Sequence, residues 1–92
     1  MNIMAQPKFT EIDIVRVVNL LMPNDKRGNM GSTEIKRDPI VGDIGTVVYV
    51  HPKIEGLEQA YIVECCDNDG RPYWLADFLE GELETSSINE KI

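Results

Sequence analysis

Apolar residues alternate with polar ones in short runs along this chain, the period expected of half-buried strands. Residues 13–20 place Val15 and Val17 on one face and Ile14, Val18 and Leu20 on the other, where Arg16 marks partial solvation. Residues 59–66 place Tyr61, Val63 and Cys65 together, opposite Ile62, Glu64 and Cys66. The charged Glu64 makes the first set the core face. Between these runs lies the stretch that organises the chain, Val41-Gly42-Asp43-Ile44-Gly45-Thr46-Val47-Val48-Tyr49-Val50. Gly42 and Gly45 suit positive φ or close approach to another strand, and Asp43 suits a turn held by its own carboxylate. The β-branched and aromatic run that follows favours extended structure. Its apolar residues fall on both faces, which predicts a central strand buried on both sides. Pro52 ends it.

Asp67-Asn68-Asp69-Gly70 reads as a tight hairpin turn, with residues 71–75 as the returning strand. Residues 76–83 suit a helical turn, or a turn plus a last short strand. Phe9-Thr10-Glu11-Ile12 suits a turn that tucks Phe9 under the sheet. Residues 1–8 read as a flexible lead-in and residues 85–92, which lack periodicity, as a disordered tail. The pattern predicts one all-β domain over residues 9–84, a small barrel of about five antiparallel strands. Residues 22–40 form a long, polar first loop, the kind of connection that is usually functional or disordered.

The chain has 92 residues, enough for one domain, and 42% of them are apolar, enough for one core. No apolar run reaches the roughly 20 residues of a membrane-spanning helix, and the N-terminus lacks signal-peptide character. The expected location is the cytoplasm. The adjacent Cys65 and Cys66 read as free thiols, consistent with a reducing compartment. The net charge of −7 is unevenly spread. Residues 1–54 hold seven Lys/Arg and six Asp/Glu, whereas residues 55–92 hold two and ten. An acidic half repels phosphate backbones and disfavours nucleic acid as the general partner.

The chemistry-bearing residues point to binding rather than catalysis. His51, the single histidine, would need an orienting carboxylate and a nucleophile to act as a base. Neither a metal-ligand spacing nor a phosphate-binding glycine loop is present, so no cofactor or metal is expected. Tyr73 and Trp74 are neighbours in one strand, so one of them should face outward. Trp74 and the long loop are then candidates for a peptide groove. Glu80, Glu82 and Glu84 form a candidate acidic face for a basic protein surface. Lys26, Arg27, Lys36 and Arg37, four of the nine basic residues, lie in the long loop and are the candidate contacts for RNA.

Three segments in order resemble a family of small bacterial proteins of unknown function with an SH3-like barrel. They are Phe9 to Arg16, Val41 to Val48, and Ala60-Tyr61-Ile62-Val63-Glu64 followed by Asp69-Gly70-Arg71. The middle segment is also similar to KOW segments and to the barrel of the nitrile hydratase β subunit. The chain departs from the family in its longer first loop, in Cys65 at an aromatic position, and in an aromatic-rich 73–80. The resemblance implies an SH3-like barrel with the long loop as its first loop, and carries over no catalytic residue. It implies an accessory or immunity-type partner protein. The KOW likeness implies the alternative, an RNA- or ribosome-binding barrel.

Overall fold

The computed structural model describes residues 6–28 and 37–86. They form five antiparallel strands in one curled sheet: β1 (Ile14–Val17), β2 (Ile44–Val50), β3 (Ala60–Cys66), β4 (Pro72–Leu79) and β5 (Leu83–Thr85). The order across the sheet is β4-β3-β2-β1-β5, which puts β2 in the middle. Short 3-10 turns occupy Asn24–Lys26 and Glu80–Glu82. The chain is an all-β, small SH3-like barrel. Among the described residues, no helix is long and apolar enough to cross a membrane.

Alternation builds the core. Val15 and Val17 of β1, Val47 of β2, Tyr61 and Val63 of β3, and Trp74 and Phe78 of β4 are all buried on one side of the sheet. Phe9 closes this core from below, its ring edge-on to Tyr61 at 5.3 Å. Two glycines make the middle strand possible. Gly42 sits at φ +101°, and a Cβ on Gly45 would lie 2.6 Å from the Glu64 carbonyl oxygen, so β2 and β3 can approach only with glycine there.

Several boundaries differ from the pattern in the sequence. The first strand covers 14–17 rather than 13–20, because Val18 and Asn19 leave β1 to donate to the Glu82 carbonyl oxygen. β2 is buried on one face only. Val47 pairs with Val63 and Tyr49 with Ile62, so Val48 is an extra residue in a bulge. The slip turns both Val48 and Tyr49 outward and returns Val50 to the inside. β4 continues to Leu79, and the 3-10 turn and β5 follow. Thr85 belongs to β5, and the Ser86 N–H donates to the Ile14 carbonyl oxygen, so the barrel extends past residue 84. The other expected tail residues, residues 1–5 of the lead-in, and Lys36 lie outside the described residues.

The stems of the first loop cover the edge of β4. The Asp77 N–H donates to the Arg27 carbonyl oxygen at 2.8 Å, and the Arg37 N–H donates to the Tyr73 carbonyl oxygen at 3.4 Å. An edge strand is thereby withheld from pairing with another chain.

Candidate functional site: an apolar groove with an acidic rim

The charged residues expected at two separate surfaces meet inside the protein. Arg27 and Glu82 are both buried and form an ion pair at 2.6 Å. Every guanidinium N–H has a partner. Nε donates to Asn24 Oδ1, Nη1 to Glu82 Oε1 and the Asp77 carbonyl oxygen, and Nη2 to Glu82 Oε2 and the Met22 carbonyl oxygen. Glu82 also accepts the N–H groups of Leu21, Met22 and Leu79. Phe78 lies under the guanidinium, 4.5 Å from its centre. Burial pushes the Glu82 carboxyl up, but Arg27 and the three backbone donors outweigh it and hold the group below the usual carboxylate range. Arg27 and Glu82 are therefore corrected from surface contacts to a lock between the loop and the 3-10 turn.

A second lock holds the other stem. Arg37 clasps Asp43 with both Nη atoms, at 2.7 and 2.9 Å. Asp43 also accepts the Ile40 N–H and the Trp74 Nε1–H. Its carboxylate thus holds the turn through the Ile40 amide, three residues back, and ties that turn to β4 through Trp74. Burial again opposes ionisation, and Arg37, the Ile40 amide and Trp74 together hold Asp43 low. Trp74 is wholly buried, so its ring offers no exposed face, although it lines the recess between the described stems of the loop. Tyr73, the extra residue where the β3–β4 register shifts, is half-buried under Arg37 at 4.6 Å. A recess of about 330 Å³ between the two stems is lined by both arginines, but each guanidinium already holds a carboxylate.

The remaining acidic candidates are dispersed. Glu80 accepts the Tyr61 hydroxyl at 2.5 Å and the Lys8 N–H at 2.9 Å. Burial, then this hydrogen bond, push the Tyr61 hydroxyl up to about 12. Glu84 is half-exposed and 3.7 Å from Arg16. Lys26 is exposed. Cys65 and Cys66 are free thiols. Burial raises both, Cys65 to about 11, which keeps them protonated and unreactive at neutral pH.

A mostly apolar groove of about 310 Å³ lies between the β2–β3 connection, the end of β4 and the start of the first loop. Met22, Pro52, Ile54, Leu57 and Leu79 supply its apolar walls. Ile54 and Leu57 are 59% and 58% exposed. The connection carrying them is internally fixed. The Gln59 side-chain amide donates to the His51 carbonyl oxygen, the Leu57 N–H to that of Ile54, and Lys53 Nζ to those of Ile54 and Leu57. Glu58 ties it to the 3-10 turn by accepting the Gly81 N–H at 2.6 Å.

His51 and Asp77 stand in the groove wall with Nε2 and Oδ1 2.8 Å apart, and Tyr49 meets the imidazole edge-on at 5.2 Å. The orienting carboxylate is present. Among the described residues, no hydroxyl or thiol hydrogen-bonds the ring. Register explains the pair: Tyr49 opposes Ile62, and Ile62 opposes Asp77, which lines up β2, β3 and β4 on the outer face. The sequence carries a faint signal for the groove in Ile54 and Leu57, two large apolar residues in a connection rather than a strand.

No protein-family model matches the chain, and no curated protein or solved structure is detectably similar to it.

Proposed function

We propose that this chain is a non-enzymatic protein-interaction module, an accessory or immunity-type partner protein acting in the cytoplasm, and that it binds through the groove at His51, Ile54 and Leu57. The exposed, pre-ordered apolar wall carries this proposal. Ile54 and Leu57 stay in water on a connection whose backbone is held by its own hydrogen bonds. Covering them releases water, and little ordering entropy opposes it. The charge of the C-terminal half favours a basic protein surface over a nucleic acid. RNA binding has less to work with, since Arg27 and Arg37 are committed to internal carboxylates. The proposed kinship with small bacterial SH3-like proteins rests on the three sequence segments.

Affinity capture from the source cell tests this with two variants. In one, Ile54 and Leu57 are both changed to Glu; in the other, Ile40 and Val41, equally exposed but remote in sequence from the groove, are changed likewise. The expected result is a protein retained by the wild type and the second variant and lost by the first. Retention by all three, or RNA as the retained species, would overturn it.

A further inference from the structure

We infer that the groove's occupant is a protein segment presenting an apolar side chain beside a lysine or arginine, with Asp77 and Glu58 as the seats for the cation. This rests on the groove being the binding face and adds the chemistry of what it takes. Both charged residues of fixed sign in the lining are acidic. Asp77 uses one carboxylate oxygen on His51, and Glu58 uses one on the Gly81 N–H. The second oxygen of each has no hydrogen bond among the described residues. Arg27, whose Nη1 reaches the Asp77 carbonyl oxygen, already holds Glu82, and Lys53, on the same connection as Glu58, is turned onto the carbonyl oxygens of Ile54 and Leu57. It neutralises its own connection rather than the groove's carboxylates.

An apolar ligand that covers Ile54 and Leu57 also displaces water from Asp77 and Glu58. A desolvated carboxylate with an open oxygen is costly unless a donor meets it. An ammonium or guanidinium on the incoming segment meets it best, and a guanidinium adds a second parallel hydrogen bond. A second copy of this chain would bring the same two carboxylates and a net charge of −7 against them, and a nucleic acid would bring phosphates. Opposite charge therefore selects a basic segment of another protein.

A random peptide library displayed on phage, panned against the purified full chain, tests this. Wild type is expected to select peptides with an apolar residue close to Lys or Arg. Asp77→Asn, which keeps an oxygen for His51, should weaken the selected peptides about tenfold to a hundredfold, the loss of one charge-assisted hydrogen bond. Glu58→Gln, which keeps an oxygen for Gly81, gives the same reading should Asp77→Asn fail to fold. Leu57→Glu should abolish binding. Apolar peptides without basic enrichment, lost with Leu57→Glu but indifferent to Asp77→Asn and Glu58→Gln, would overturn the charge inference and leave the groove intact. No selected peptide, or peptides indifferent to Leu57→Glu, would overturn both.

Discussion

Arg27 and Glu82 are 55 residues apart in the chain and 2.6 Å apart in the fold. A buried pair stabilises only when its desolvation is met by full hydrogen bonding, and here every donor of Arg27 is used. Removing one partner strands the other, so Glu82→Ala should cost about 3–5 kcal/mol in urea unfolding. Arg27→Met with Glu82→Leu should cost much less than the two single changes together, because no charge is left unpaired. Additive losses would contradict this. Glu82 and Asp43 both ionise more readily folded than unfolded. A lowered folded pKa adds stability that is present above the unfolded values of about 4 and lost as pH falls through the folded ones. The thermal midpoint should therefore fall below about pH 5, and Glu82→Gln should have a shallower slope there; equal slopes would refute the assignment. Ile12 holds a φ of +80° while 80% exposed. The left-handed region strains a β-branched residue by about 1–3 kcal/mol, so Ile12→Gly should raise stability by about 0.5–1 kcal/mol after glycine's own entropy cost. None of these partnerships can be seen in sequence. Glu80, Glu82 and Glu84 alternate like a solvated strand face, but a 3-10 turn holds residues 80–82, so period two does not apply and Glu82 turns inward.

At the level of elements, the strands were legible because one face of each is apolar and the turns have strong chemistry. The β2–β3 and β3–β4 pairings follow from the turns that join the strands, Phe9 in the core from the turn at residues 9–12, and the inward set Tyr61, Val63 and Cys65 from alternation. The bulge at Val48 was not legible, since one extra residue changes which side chains face out without changing composition. The return strand was read too short because Ala76 to Leu79 could serve a turn or a strand; β3 opposite them decides for strand. Val47 and Val63 face each other across β2 and β3 in the core. Val47→Ala and Val63→Ala should each cost on the order of 2 kcal/mol. A loss under about 0.5 kcal/mol in urea titration, small beside a buried valine's worth, would remove them from the core.

Across the whole molecule, the Arg27–Glu82 lock fastens one stem of the first loop to the 3-10 turn after β4, the Arg37–Asp43 lock holds the other stem at the turn before β2, where Asp43 also accepts from Trp74 of β4, and Glu58 fastens the β2–β3 connection to the 3-10 turn. The groove lies where the first stem, that connection and β4 meet, so its walls come from three separate parts of the chain. Sequence alone points instead to Trp74 and the glutamates, of which the fold buries Trp74 and Glu82 and leaves Glu84 at the surface. The central claim is that binding occurs at this groove and not at the dispersed charges. The most direct measurement is photo-crosslinking in the source cell with benzoylphenylalanine in place of Leu57, of Glu84 or of Lys26. A single protein adduct from position 57, absent from 84 and 26, is the predicted result. Adducts from 84 or 26 with none from 57, or adducts to RNA, would contradict it.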